Sequence, residues 1–286
     1  MGPTGSGKSF LAERFAKELE AQLINADAFQ VYKGFDVGTN KPALKEHYNL
    51  LDIKKPQESF SVGEWIGLVL KILNGLWDQK KHAVVVGGTG LYIRALFEEW
   101  KDLSPPPPQE VRNKIMEQER KWGIPKLFQE LQRLDPDSAS KLDPNNRARV
   151  RRALEKALVP QAKIPFSLPT FQKFKLGIQW PVDRLNSLLD QRTEYLLKSG
   201  WIEEAERLKK EGITEELPAM RAIGYRTIFR LLENQISFEE ALLNIQTETK
   251  QYAKRQRTWL RSEPHVKELF VQDLKELEQK QLASIL

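Results

Sequence analysis

The chain has 286 residues, 45 of them Lys or Arg and 39 Asp or Glu, for a net charge of +6, and 40% of it is hydrophobic. That is room for two domains, or for one large core with an insertion, and enough apolar content to bury it. No cysteine and only three scattered histidines exclude disulfides, catalytic thiols and Cys-based zinc sites and leave little for a His-rich metal site, while the mild basic excess permits a nucleic-acid partner without demanding one. No apolar run approaches the roughly 18 residues of a membrane span, and no charged start precedes an apolar signal segment, so a soluble, cytoplasmic chain is expected.

The opening Gly2-Pro3-Thr4-Gly5-Ser6-Gly7-Lys8-Ser9 fits the pattern G-x-x-x-x-G-K-[ST]. In such a loop backbone N–H groups point at phosphate oxygens, Lys8 adds a mobile charge and Ser9 offers a hydroxyl to Mg²⁺. The dipole of the helix predicted over residues 9–19 adds to the same spot. This places the chain among binders of di- or triphosphate groups, the nucleotide-binding class, without establishing ATP. Residues 22–26 read as a strand ending at Asp27, residues 62–80 as a helix, and residues 83–86 as a wholly apolar strand of a parallel sheet. That strand runs into Gly87-Gly88-Thr89-Gly90 with no acid of the kind ordinary NTPases place there. The available acid is Asp27. At the carboxyl edge of the sheet it suits a general base, and its spacing equally fits a solvated loop aspartate or a helix cap.

Four consecutive prolines, Pro105 to Pro108, form a stiff connector and a boundary. Beyond them the sequence is helical and polar to about residue 172. Then Phe174, Leu176, Ile178 and Trp180 alternate with polar positions as a strand that could return to the sheet. Helices follow, one opened by the capping box Ser237-x-x-Glu240, and a weak strand closes at residues 266–271. The expected architecture is α/β: a P-loop parallel-sheet core with C-terminal helices, residues 1–103 and 173–286, interrupted by a helical insert, residues 104–172.

The segment from Asp27 to Pro42 (DAFQVYKGFDVGTNKP) resembles the D-S-x-Q-x-Y-x-x-x-D-I-G-T-x-K-P signature of the tRNA dimethylallyltransferases. Leu50-Leu51-Asp52-Ile53, Gly87-Gly88-Thr89-Gly90-Leu91-Tyr92, Met220 to Arg226 (MRAIGYR) and Lys254 to Arg261 (KRQRTWLR) match further motifs of that family, in order. The resemblance implies transfer of a dimethylallyl group from dimethylallyl diphosphate to the N6 amine of the adenosine 3′ of the tRNA anticodon, position 37, with Mg²⁺ held through Ser9. It implies catalytic roles for Asp27, Thr89 and Arg221, and diphosphate binding by Gly2, Pro3, Thr4, Gly5, Ser6, Gly7, Lys8 and Ser9. It also implies contact with the tRNA anticodon stem-loop at Asp27, Ala28, Phe29 and Gln30, at Arg112, and at Ala148, Arg149, Val150, Arg151 and Arg152. Further such contacts are implied at Arg221, Ala222, Ile223, Gly224, Tyr225 and Arg226, and at Lys254, Arg255, Gln256, Arg257, Thr258, Trp259, Leu260 and Arg261.

The sequence departs from the family pattern in places. Ala28 stands where a serine is usual, Tyr48-Asn49 where a histidine pair is common, and no T-G-K-P follows Glu155. The family carries an apolar strand ahead of the loop, which leads us to expect some six to ten further apolar residues before Gly2. A monomer is expected. A P-loop nucleoside or small-molecule kinase shares the loop and the acid, and a non-catalytic RNA-binding protein shares the basic helices. A run such as residues 145–156, with two asparagines ahead of its arginines, also reads as a solvated helix face, and Tyr225 and Trp259 read as core aromatics as well as base stackers.

Overall fold

A computed structural model describes residues 1–100, 103, 107–159, 172–273 and 276. It divides into two compact units, Met1–Glu99 with Ser167–Leu286, and Trp100–Phe166. Pro105, Pro106 and residues 160–171, next to the expected edges of the insert, lie outside the described residues, as do residues 277–286.

In the larger unit the glycine-rich loop feeds α1 (Lys8–Glu18), entered through Gly7 in the left-handed conformation, φ +82°. Its apolar face buries Leu11, Ala12, Phe15 and Ala16. Strand β1 (Gln22–Asn25) is central in a parallel sheet of order β2-β1-β3, flanked by β2 (Tyr48–Asn49) and β3 (Ala83–Val86). Helix α2 (Val62–Asp78) starts at a capping box between Ser61 and Glu64, a feature worth about 1 kcal/mol. Helix α3 (Gly90–Phe97) follows β3 after the turn Gly87-Gly88-Thr89.

The smaller unit is helical in its described residues. Helix α4 (Gln109–Leu134) breaks at Gly123, which has φ +76°, just ahead of Pro125. A short α5 (Pro136–Ala139) and α6 (Arg147–Leu158) complete the unit, and the Asn146 side chain caps α6 by accepting from the Arg149 N–H. Ile115, Leu127, Leu131, Ala139, Val150 and Leu154 form its core.

Back in the larger unit, β4 (Lys175–Gln179) does not rejoin the first sheet. It pairs in parallel with β5 (Val266–Phe270) as a second, two-stranded sheet. The Met1 backbone lies alongside β4, its amine donating to Leu176 O at 2.6 Å and its carbonyl accepting from Ile178 N at 3.0 Å. Helix α7 (Val182–Leu196), a wide turn Leu197–Trp201, α8 (Ile202–Lys210), a tight turn Pro218–Arg221, α9 (Tyr225–Leu232) and α10 (Phe238–Arg261) make the helical half. One core joins Val31, Tyr32 and Phe35 to Leu197, Trp201, Tyr225 and Ile245, and another joins α1 to β4 and α7 through Phe15, Ile178, Leu185 and Leu189. Both anchor loops that end in the same place.

Candidate active site

Those loops surround a cavity of about 600 Å³. One end is the phosphate loop, with Thr4, Gly5, Gly7, Lys8 and Ser9 on the wall. Asp27, Phe29 and Gln30 line it after β1, Gly88 after β3, Arg221 to Ile223 before α9, and Tyr252, Arg255 and Gln256 from α10. Apolar surface comes from Phe10, Leu189, Leu196 and Trp201.

At the phosphate end, Lys8 folds back so that its Nζ donates to Pro3 O at 2.7 Å. Burial lowers its pKa to about 8; Asp27 opposes that shift and Arg192 adds to it. A charge so far removed from water is stabilised by an incoming anion. Arg192 of α7 faces the same loop, with its guanidinium 3.5 Å from Thr4 Oγ1 and its pKa pulled down by burial. The sequence reading missed Arg192. It falls in the buried stripe of α7 after Leu185 and Leu189, and a charge on such a stripe was the available signal.

The Asp27 turn is built by its neighbours. Asn25 is buried, accepts from Asp27 N at 3.1 Å and donates to Leu50 O at 3.1 Å. Asp27 Oδ1 accepts from Phe29 N at 2.9 Å and Gln30 N at 3.4 Å, so this oxygen caps the turn. The other, Oδ2, has no hydrogen-bond partner among the described residues and is the one available for a proton. Thr89 locks this turn to the end of β3, its N–H donating to Ala26 O at 3.1 Å and its Oγ1 accepting from Ala28 N at 3.0 Å. Arg221 also lines the cavity, exposed and without a carboxylate partner among the described residues. Asp27, Thr89 and Arg221 are therefore brought to one cavity or its rim.

Much of the signature after Asp27 serves to hold the loop. Lys41, with a side chain 1% exposed, binds Asp36 at 2.7 Å and Asp52 at 2.5 Å. The buried carboxylate of Glu204 on α8 accepts from Asp36 N and Val37 N at 2.8 Å, Gly38 N at 3.3 Å and the Tyr225 hydroxyl at 2.6 Å. A side chain at Gly38 would come within 2.0 Å of the Trp201 ring, so the loop can lie here only with glycine. Glu204 was not found from sequence.

Several residues expected at the tRNA are held by packing or by partners within the chain. Val150 sits in the core of the smaller unit, and Ala222, Tyr225 and Leu260 in the larger one. Trp259 lies under the Arg94 guanidinium, 4.4 Å from its ring centre, and covers Gly90. Gln256 turns inward, accepting from Thr4 N at 2.7 Å and donating to Gly88 O at 2.9 Å. In the smaller unit Arg151 pairs with the almost fully buried Glu119, as does the adjacent Arg147, while Arg152 and Arg112 reach Glu155. Arg149 and Ala148 stay exposed. On α10, Lys254, Arg255, Thr258 and Arg261 are exposed, and Lys250 pairs with Asp190 at 2.9 Å. The half-buried Arg257 has its pKa lowered by burial and then by Arg261. Arg226 donates to Glu215 O at 2.9 Å.

Ser9 and Asp27 give the cavity hard oxygen donors, which suit Mg²⁺. Among the described residues no group of three or more His, Cys, Asp or Glu is placed to hold a metal ion. Among the described residues, no helix is long and apolar enough to cross a membrane.

The sequence profile described as IPP transferase matches residues 30–263. The tRNA dimethylallyltransferase 1 of Pelobacter propionicus is 35% identical, over 93% of this chain and 89% of its own length. That of Thermoanaerobacter sp. is 36% identical, over 98% and 93%. The crystal structure of the full-length tRNA isopentenylpyrophosphate transferase of Bacillus halodurans matches with a TM-score of 0.69 at 29% identity, covering 97% of this chain and 91% of that one. A phosphate loop and a fixed aspartate lining one cavity, in a chain matched along nearly its whole length, leave one conclusion: the protein belongs to the IPP transferase family, whose curated relatives are tRNA dimethylallyltransferases.

Proposed function

We propose that the chain transfers a dimethylallyl group from dimethylallyl diphosphate to the N6 amine of the adenosine 3′ of a tRNA anticodon, position 37, releasing diphosphate. The observation that carries this is the cavity itself, lined at once by the phosphate loop with Lys8 and Arg192, by Asp27, and by the apolar side chains of Phe10, Leu189 and Leu196. The amine is a weak nucleophile and diphosphate a leaving group that gathers charge, so both ends need help. The N–C1 bond forms as C1–O breaks, and the amine proton passes to Asp27 Oδ2. The loop N–H groups, Lys8, Arg192 and Arg221 neutralise the departing diphosphate.

Bound Mg²⁺, held through Ser9 and diphosphate oxygens, would supply further charge neutralisation at the leaving group. Phe10, Leu189 and Leu196 give the prenyl chain an apolar wall. The adenosine must be turned out of its stacked loop to reach Asp27, and splayed bases with backbone contacts are the usual targets of RNA-binding proteins. Lys254, Arg255 and Arg261 on α10 and Arg149 on α6 are the cations best exposed for phosphate. The enzyme would act as a monomer in the cytoplasm.

The test is paired labelling. Carbon label from dimethylallyl diphosphate should enter tRNA, and γ-phosphate label from ATP should enter neither tRNA nor a small acceptor. Phosphate label in an acceptor selects a kinase, and tRNA binding without either transfer selects a non-catalytic RNA-binding protein.

A further inference from the structure

Helix α10 carries exposed cations over its last two turns, at Lys254, Arg255 and Arg261, yet one of its polar side chains there points the other way. Gln256 is 6% exposed and sits between Ala253 and Leu260 on the buried face. Its Oε1 accepts from the backbone N–H of Thr4, in the phosphate loop, at 2.7 Å. Its Nε2 donates to the carbonyl of Gly88, in the turn after β3, at 2.9 Å. The two backbone groups fix the orientation of the amide, oxygen toward the donor and nitrogen toward the acceptor. The fit is close, since a Cβ at Gly88 would lie 2.1 Å from Nε2. One turn earlier, the Tyr252 hydroxyl contacts the side chains of both Gln256 and Thr89.

These contacts join the two halves of the chemistry. Thr4 belongs to the loop that faces the leaving group. Gly88 leads into Thr89, whose N–H and hydroxyl oxygen hold residues 26 and 28 on either side of Asp27. We propose that Gln256 is a positioning residue: one amide sets the separation between the diphosphate loop and the turn that carries the base. A carboxylate could still accept from Thr4 but would oppose the Gly88 carbonyl, and an aliphatic side chain would satisfy neither. Because displacement depends on alignment, a shift of about 1 Å can cost about a hundredfold in rate. The proposal rests on the transfer reading above, and it predicts that Gln256 affects diphosphate and turnover rather than tRNA affinity.

The test compares Gln256→Leu and Gln256→Glu with wild type. Both variants should lower kcat by about 30- to 100-fold at pH 8. Both should also weaken inorganic diphosphate binding about fivefold or more while tRNA affinity stays within about twofold. A protonated glutamic acid reproduces the donor–acceptor pair of glutamine. The activity of Gln256→Glu relative to wild type should therefore climb at least fivefold between pH 8 and pH 5.5, whereas that of Gln256→Leu should stay flat. A merely structural role predicts parallel losses of diphosphate and tRNA binding with a lowered melting temperature, and no pH-dependent rescue. That result overturns the proposal, as do variants with wild-type kcat and diphosphate affinity. If wild type transfers no dimethylallyl group, the function is refuted, and the brace is judged on diphosphate binding alone. Unchanged affinity in both variants would then overturn it.

Discussion

Raising the pH should weaken diphosphate binding well before it unfolds the protein, through Lys8. With its pKa lowered to about 8 by burial, Lys8 is charged in about 90% of empty molecules at pH 7 and about 10% at pH 9. Diphosphate binds the charged form, so the apparent Kd scales as one plus the ratio of neutral to charged lysine. Between pH 7 and pH 9 it should rise about tenfold. The stability of the empty protein moves the other way. A folded pKa below that of free lysine, near 10.4, makes a stabilising contribution that is full above that value and is lost as the pH falls through about 8. Calorimetric titration with dimethylallyl diphosphate, without tRNA, at half-unit steps from pH 7 to 9 reads the first effect directly. Lys8→Arg keeps its charge throughout this range and should flatten the slope, although its fork will not fit the loop as well. A wild-type Kd that is constant across the range would refute the reasoning, as would a Lys8→Arg profile with the wild-type slope.

Asp27→Asn keeps the oxygen that caps the turn and removes the proton acceptor; single-turnover transfer should fall about 10²- to 10⁴-fold with tRNA affinity unchanged, and a loss of less than about threefold would sink the base assignment. Glu204→Gln leaves one oxygen for four donors and should destabilise the fold by about 1–3 kcal/mol in thermal denaturation, more than Tyr225→Phe, whereas an unaltered melting curve would show that the carboxylate is no anchor. Replacing Lys254, Arg255 and Arg261 together by Ala should reduce the slope of log Kd against log salt for tRNA by about 2–3 if each meets a phosphate. An unchanged slope would leave that face to solvent.

What could be read from the sequence was whatever local spacing encodes. The phosphate loop, the apolar strand at residues 83–86 and the Ser237–Glu240 capping box each follow from residues within a few positions of one another, and each stands where expected. Asp27 was found as the acid after β1, and the structure adds that, among the described residues, one of its oxygens caps the turn and the other accepts no hydrogen bond. Contacts made through space were not legible. Arg192 meets Thr4 across 188 positions and Glu204 meets Asp36 across 168, and no periodicity signals either pairing. Counting cations is blind to partners for the same reason. Arg147 and Arg151 look free in the run at residues 145–156, but their partner Glu119 stands on another helix. Glycine in β4 and the shortness of β2 hid the sheet pairings, which depend on backbone register rather than on side-chain alternation.

The central claim is that Asp27 and the phosphate loop act on one substrate pair inside one cavity. It is tested most directly by incubating the protein with tRNA, Mg²⁺ and dimethylallyl diphosphate, digesting the RNA and analysing the nucleosides by mass spectrometry. The account predicts a single adenosine per tRNA, 3′ of the anticodon, heavier by one dimethylallyl group in place of hydrogen, with one diphosphate released per modified base and none of this product from Asp27→Asn on the same timescale. Unmodified adenosine from the wild-type reaction, or equal product from wild type and Asp27→Asn, would contradict it.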